Sequence, residues 1–144
     1  MVMVLILEDD IVLSMEWSAA LRAASFDVRA AVDVGEAEVR ISDQVFDLVV
    51  VDSFIRKDGG LSSEGGITLI SALRMPELRS YPAWAAEVPI LAVSGAMKGY
   101  GFDPLTTALS ISANRQMRKP FSPSKLVDTC RQMLATAPEG KRPG

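Results

Sequence analysis

The sequence predicts an α/β protein in which a parallel sheet is covered by helices on both faces. Short, almost wholly apolar runs alternate along the chain with stretches whose apolar residues recur every three or four positions. The runs are typical of strands buried on both faces, and the periodic stretches are typical of amphipathic helices. Strands that alternate with helices imply right-handed crossovers and therefore a parallel sheet. With 144 residues, the chain is long enough for one domain with a proper core.

Five strand–helix pairs are predicted, and the first half of the chain contains the clearest of them. The first strand covers residues 2–7, the second 26–32 and the third 48–51. A short helix is predicted over 35–42. A longer helix is predicted from Ile11 to about Ala24, because its apolar residues share one face. These residues are Leu13, Trp17, Ala20, Leu21 and Ala24.

The middle of the chain contains longer connections. Residues 56–66 are rich in glycine and serine, so we expect no regular structure there. A helix begins near Ile67 and is limited by Pro76. Residues 77–87 form a further connection before the fourth strand, which is predicted over 88–93.

The last third begins with a predicted loop over 95–101. Asp103-Pro104 and Ser122-Pro123 each combine an N-cap residue with proline at the first helical position, which predicts a helix after each. The fifth strand is predicted around 116–118, between these helices. Residues 138–144 are predicted to be a flexible tail.

Composition excludes several classes of function. The net charge of −3 gives no sign of a nucleic-acid interface, and the absence of histidine removes imidazole as a ligand, base or phosphoryl carrier. The single Cys130 cannot form an internal disulfide and is predicted to pack in the core on the last helix. The apolar N-terminus is too short for a membrane span and lacks the basic lead of a signal peptide. We therefore expect a cytoplasmic protein with one domain over residues 1–137.

Polar side chains follow four of the five predicted strands. Glu8 and Asp9 follow the first, Asp52 ends the third, Ser94 follows the fourth and Lys119 follows the fifth. Because the carboxyl ends of parallel strands lie at one edge of the sheet, we expect these groups to converge. Three neighbouring carboxylates repel one another unless a cation binds them, and Mg²⁺ prefers such oxygen ligands. Glu8 and Asp9 alone would be equally consistent with solvated acids, but together with Asp52 and Lys119 they favour a metal site.

Asp52 is the best candidate for covalent chemistry at this edge. A carboxylate can attack a phosphoryl group and hold it as a mixed anhydride. Such transfer depends mainly on positioning and on neutralised charge, which Mg²⁺ and Lys119 would supply. Ser94 could donate a hydrogen bond to a phosphate oxygen, and Gly95 leaves access open beside it. The alternative, that Lys119 is an ordinary surface lysine, is disfavoured by its position at a strand end.

The motifs Glu8-Asp9, Asp52, Ser94-Gly95 and Lys119-Pro120-Phe121 follow the predicted strands in this order. The pattern resembles the response-regulator receiver domain of two-component signalling over roughly residues 2–136. The resemblance implies a flavodoxin-like (βα)5 fold with strand order 2-1-3-4-5.

The resemblance also implies a metal site and a phosphoacceptor. Asp52 would accept a phosphoryl group from a histidine of a sensor kinase or phosphotransfer protein. Mg²⁺ would be bound by Asp52, by Asp9 directly, by Glu8 through water and by the backbone carbonyl of Phe54. Lys119 would pair with the phosphoryl group, with a cis bond to the proline that follows it.

A switch is implied as well. Ser94 would move toward the phosphoryl group and remodel the face formed by the fourth helix, the fifth strand and the fifth helix. An unidentified protein target or a second copy of the chain would bind to this face. Gln116 stands where receivers commonly place the tyrosine or phenylalanine that couples to this serine. The connection from Asp52 to Gly66 is several residues longer than usual and lacks the common Met-Pro pair. A tolerated surface insertion is favoured over a lid or a partner contact there.

Three functions are compatible with these residues. We expect first a stand-alone phosphoreceiver, since the chain ends soon after the last predicted helix. The only chemistry expected of it is phosphoryl transfer onto its own Asp52 and the hydrolysis of that adduct. The second is an interaction module that switches without phosphate. The third is a phosphohydrolase, which generally requires a second acid two residues after the nucleophile, where this chain has Phe54.

Overall fold

The described residues of the computed structural model are 1–53, 55–57, 60–62, 66–95 and 113–136, with the backbone alone for 55–57 and 60–62. Phe54, the loop predicted over 95–101 beyond Gly95, the helix predicted near Asp103-Pro104 and the tail predicted over 138–144 lie outside them.

Apart from two short strands that follow the third, the described helices and strands occur in the predicted order. The strands are β1 (Met3–Leu7), β2 (Asp27–Ala31), β3 (Leu48–Asp52), β4 (Ile55–Lys57), β5 (Gly60–Ser62), β6 (Ile90–Ser94) and β7 (Arg115–Arg118). The helices are α1 (Ile11–Ala23), α2 (Val34–Asp43), α3 (Gly66–Arg74) and α4 (Pro123–Thr136). Two 3-10 turns, Pro76–Leu78 and Ala83–Ala86, lie in the connection between α3 and β6.

Five of the strands form one parallel sheet in the order β2-β1-β3-β6-β7. Since β6 and β7 are the predicted fourth and fifth strands, this is the order 2-1-3-4-5, and the predicted fold class is confirmed. The register brings the ends of neighbouring strands together: Leu7 pairs with Val51, Asp52 with Val93, and Ser94 with Arg118.

The sheet separates two apolar cores, because successive residues of a strand point to opposite faces. In β1, Leu5 and Leu7 face the core under α2 and α3, whereas Val4 and Ile6 face the core under α1 and α4. Both faces of the three central strands are therefore buried, which explains their continuous apolar sequence. The second core includes Cys130, which is fully buried as predicted.

The prediction of no regular structure over 56–66 is wrong. β4 and β5 form an antiparallel pair, with Lys57 opposite Gly60. Only Asp58 and Gly59 separate the paired strands, and Asp-Gly is among the dipeptides favoured in two-residue hairpin loops. Glycine and serine lower strand propensity, but a connection of only two residues makes the entropic cost of bringing the two segments together small.

The ends of α1 are fixed by local hydrogen bonds. Asp10 is the N-cap, and its carboxylate accepts from Leu13 N at 3.2 Å. At the other end, Ser25 N donates to Arg22 O and Phe26 N donates to Leu21 O, both at 3.0 Å. This is the Schellman arrangement, with Ser25 at φ 74° in the position that glycine usually occupies.

The face that α1 buries is the predicted one, since Trp17 and Leu21 are buried and Leu13, Ala20 and Ala24 pack against the same core, but it also includes two serines. Ser14 and Ser18 are buried beside Trp17 and Leu21, whereas Leu13 is only partly buried. Small hydroxyl residues allow the helix to lie close to the sheet, and periodicity of apolar residues alone does not reveal this.

Polar contacts fix the connection between α3 and β6. The Arg74 guanidinium donates to backbone carbonyls within 85–88 and, at 2.8 Å, to Asn114 Oδ1. The same oxygen accepts from Ile90 N at 2.8 Å, so the start of β6 and the start of β7 share one acceptor. Earlier in the connection, the Tyr81 hydroxyl donates to Glu38 Oε2 at 2.6 Å.

Among the residues described, no helix combines the length and the apolar character that crossing a membrane requires.

Candidate functional site

The carboxyl ends of β1, β3, β6 and β7 place the predicted polar residues along one edge of the sheet. Glu8 and Asp9 come directly after β1, and Asp52 is the last residue of β3. Ser94 is the last residue of β6, and Lys119 follows β7. Backbone hydrogen bonds continue past the strand ends and hold these residues: Glu8 N donates to Ala31 O at 3.1 Å, and Lys119 N donates to Ser94 O at 2.7 Å.

The three acids form a compact group. Glu8, Asp9 and Asp52 each offer a carboxylate oxygen, and these oxygens all lie within 4.8 Å of one another. Glu8 is fully buried and Asp52 is 4% exposed, whereas Asp9 is partly exposed. The expected convergence of the acids is therefore what the structure shows.

Lys119 lies against two of these acids. Its Nζ is 2.5 Å from Glu8 Oε1 and 3.2 Å from Asp52 Oδ2. The side chain is only 21% exposed, so water screens these ion pairs less than it screens pairs on the surface. The Lys119–Pro120 peptide bond is cis, as the resemblance implies.

Burial dominates the ionisation of this group. It raises the pKa of Glu8 to about 8; the contact with Lys119 opposes the rise, and the nearby Asp52 charge adds to it. Burial alone would lower the pKa of Lys119, but the contact with Glu8 and the charges of Asp52 and Glu8 outweigh it, so that this pKa is raised. The lysine is therefore held as an ammonium ion beside a glutamate that is costly to ionise.

The acids fit a hard divalent cation. The donors are carboxylate oxygens, which Mg²⁺ prefers, and they converge at less than 5 Å. Glu8 Oε2 accepts from Asp10 N at 3.1 Å. Glu8 Oε1 is buried and accepts no hydrogen bond of good geometry among the residues that the structure describes. Lys119 already lies against this oxygen, and a bound metal ion would satisfy it as well.

The other predicted site residues differ in their positions along the strands. Ser94 is partly exposed at the strand end, and a Cβ added to Gly95 would meet none of the described residues within 4 Å. Gln116 is exposed and pairs with Ala92 in the ladder, two residues before the end of the strand. The structure does not bring Gln116 to the acids. The Phe54 carbonyl lies outside the described part of the chain.

Two residues at this edge were not predicted to contribute. A Cβ on Gly66 would lie 1.7 Å from the Asp52 carbonyl oxygen, so the start of α3 touches the backbone of Asp52. The available signal was a glycine at the end of the polar stretch, directly before the predicted helix. Trp17 stacks on Phe121, with ring centroids 5.3 Å apart, and lies beneath Lys119. Its helical spacing indicated only a core residue.

The fold matches solved structures of receiver domains. A CheY-like receiver protein from Methanospirillum hungatei superposes with a TM-score of 0.70 at 20% identity, covering 94% of each chain. A receiver domain from Francisella gives 0.71 at 19% identity, covering 94% of this chain and 98% of the other. NtrX from Brucella abortus gives 0.73 at 21% identity, but the chain, 95% of which is covered, spans only 28% of NtrX.

Comparisons of sequence alone give no such match. No family model matches the chain, and no curated protein matches it. At the identities of these three structures, the likeness establishes the fold. The predicted resemblance is therefore confirmed at this level: the chain has the fold of response-regulator receiver domains, including those that consist of a receiver domain alone.

Proposed function

We propose that the chain is a phosphoreceiver that accepts a phosphoryl group on Asp52 with the help of Mg²⁺. The observation that carries this proposal is the convergence of three carboxylates and one ammonium at the edge of a receiver-type sheet. Charge of both signs at one point is what transfer of a phosphoryl group requires, because positioning and electrostatic stabilisation provide most of its catalysis.

Asp52 would act as the nucleophile. One of its carboxylate oxygens attacks phosphorus, the bond between phosphorus and the donor atom breaks, and the bonding electrons leave with the donor. Mg²⁺, bound by Asp9, Asp52, the Phe54 carbonyl and, through water, Glu8, would neutralise the phosphoryl oxygens. Lys119 already lies 3.2 Å from Asp52 and would pair with the incoming group. Ser94 would donate a hydrogen bond to it from the neighbouring strand.

The donor is proposed to be a histidine of a sensor kinase or a phosphotransfer protein. The 144 residues contain no histidine, so a phosphohistidine would come from outside this sequence. The side chains that follow the acids suit a protein donor, because Ile11, Val12 and Met15 are apolar and 61–66% exposed. Such a partner would operate in the cytoplasm.

The output is proposed to be protein binding rather than turnover of a substrate. Phosphorylation would change the surface around Ser94 and β7, and a downstream protein or a second copy of the chain would bind there. The chemistry of the chain would be limited to forming the adduct on Asp52 and hydrolysing it. The residue at the switch position, Gln116, is not aromatic and is exposed in the middle of β7. An aromatic switch would therefore not contribute.

The test is phosphorylation by a small donor. The purified protein is incubated with Mg²⁺ and acetyl phosphate, and the intact mass is measured with and without a chelator. We expect one added phosphoryl group in the native chain and none in Asp52→Asn. The control Asp43→Asn changes an exposed acid on α2 in the same way and is expected to become phosphorylated normally.

Other outcomes would favour the two alternatives. An unmodified native chain whose partner binding is insensitive to Asp52→Asn would identify an interaction module that switches without phosphate. Rapid hydrolysis of many phosphomonoesters would identify a phosphohydrolase. Either result would overturn the proposal.

A further inference from the structure

Trp17 lies in the middle of α1 and is 2% exposed. Its indole ring stacks on Phe121 with an interplanar angle of 20°. Phe121 follows Lys119 by two residues, so the tryptophan supports the same short segment that carries the ammonium group. The contact joins α1 to the segment between β7 and α4.

The Lys119 ammonium lies over the face of the Trp17 ring, with Nζ 5.6 Å from the ring centroid. This distance is within the range of a cation–π interaction, which tryptophan forms more strongly than tyrosine or phenylalanine. The ring attracts the positive charge without accepting a directional hydrogen bond. It therefore shields Lys119 from water on one side and leaves its N–H groups directed at oxygen acceptors.

Two carboxylates also contact the ammonium. Nζ lies near both Glu8 and Asp52, while its ring contact is made with an uncharged side chain. An arriving phosphoryl group competes with Glu8 for the ammonium but does not compete with the indole. The ring contact can thus be kept while the acidic partner changes.

We propose that Trp17 is a positioning residue that holds the Lys119 ammonium at the site of phosphoryl transfer. The inference rests on the proposed function, since it assigns a role within that reaction. An apolar core residue without a ring would fill the space under the sheet but would not attract the cation.

Fluorination of the indole is the sharpest test, because each fluorine weakens the attraction of the ring for a cation and changes its volume little. The experiment uses the full chain with Trp84→Phe, so that Trp17 is the remaining tryptophan. Indole analogues with one, two and three fluorines are incorporated. The rate of Asp52 phosphorylation by acetyl phosphate and Mg²⁺ is then measured together with the free energy of unfolding.

We expect the rate to fall with each fluorine, to about one fifth with three, while stability stays constant. Trp17→Phe is expected to remain within about threefold of the native rate, and Trp17→Leu to be about five- to tenfold slower. Phe26→Leu removes a ring from the same core at the opposite end of the sheet, and it is expected to keep the native rate.

A readout without metal or donor tests the contact itself. The ¹⁹F resonance of singly fluorinated Trp17 is expected to move in Lys119→Met.

Rates that do not depend on fluorine number, or an equal loss of rate in Phe26→Leu, would show that Trp17 is only a core residue and would overturn the inference. A native chain that takes up no phosphoryl group would overturn the proposed function and this inference with it. A phosphorylated chain with no fluorine trend would overturn this inference alone.

Discussion

Replacing Lys119 by methionine tests the electrostatics of the site most directly. Methionine keeps an unbranched apolar chain but removes the ammonium that lies 2.5 Å from Glu8 Oε1 and 3.2 Å from Asp52 Oδ2. The first carboxylate is fully buried and the second is 4% exposed. Both would then lose the ammonium that contacts them.

The size of the effect follows from burial. Removing one partner of a fully buried ion pair costs about 3–5 kcal/mol. Lys119 is 21% exposed, and Glu8 can take up a proton, since burial raises its pKa to about 8. Both features reduce the loss, so we expect the variant to be less stable by about 2 kcal/mol at pH 7 without Mg²⁺.

The pH dependence has a definite sign. Without the ammonium, the pKa of Glu8 rises above its value in the native fold, and the folded variant keeps a proton that the native protein releases. Stability then falls with pH wherever the folded state holds more protons than the unfolded chain. The deficit of the variant is therefore expected to grow as the pH rises past about 8.

Urea unfolding with and without Mg²⁺ provides the assay. A cation bound by the same oxygens should replace the missing charge, so 10 mM Mg²⁺ is expected to stabilise Lys119→Met by about 1 kcal/mol more than the native protein. Lys125→Met, an exposed lysine on α4, is the matched control and should change stability by less than about 0.5 kcal/mol. A deficit that Mg²⁺ leaves unchanged, or an equal deficit in the control, would refute the reasoning.

Three further changes test the fold around the site. Gly66→Ala would place a Cβ 1.7 Å from the Asp52 carbonyl oxygen, so we expect a loss of about 3 kcal/mol in urea unfolding; native stability would contradict the contact. Ser25→Gly relieves a left-handed residue at the end of α1 and is expected to raise stability by about 0.5–1 kcal/mol, seen as a higher melting temperature; a lower one would show that the strain is absent. Burial raises the pKa of the Cys130 thiol to about 12, so alkylation at pH 8 should require unfolding, and stability should fall as the pH rises from about 9 toward 12 because the unfolded chain ionises first; rapid labelling of the native protein would show that the thiol is accessible.

Much of the fold could be predicted because the sheet is buried on both faces. Runs such as Val49-Val50-Val51 are apolar without alternation, and each ends at the residue where the strand ends or one residue before it. The hairpin of β4 and β5 was missed because its glycines and serines carry no apolar pattern. Its signal was the Asp58-Gly59 dipeptide, which the composition of the surrounding stretch obscured.

The site could be predicted in its position but not in its contacts. Strand ends determine that Glu8, Asp9, Asp52 and Lys119 lie at one edge, since parallel strands finish together. The sequence does not reveal that Glu8 is fully buried and paired with the lysine, because burial depends on how the helices cover the edge. The contribution of Trp17 was also not predictable. A tryptophan at helical spacing has the same pattern whether it fills a core or supports a charge.

The strand β7 is attached to the rest of the fold at both of its ends. This strand has four residues and only one described neighbour in the sheet, a position from which strands ordinarily fray first. Just before the strand, Asn114 accepts hydrogen bonds from Arg74 and from the backbone of Ile90. Just after it, Lys119 forms a backbone hydrogen bond to β6 and an ion pair with the acids. Peeling the strand away would break charged contacts at both of its ends. A change of charge at Lys119 would therefore alter one of the two attachments of this strand.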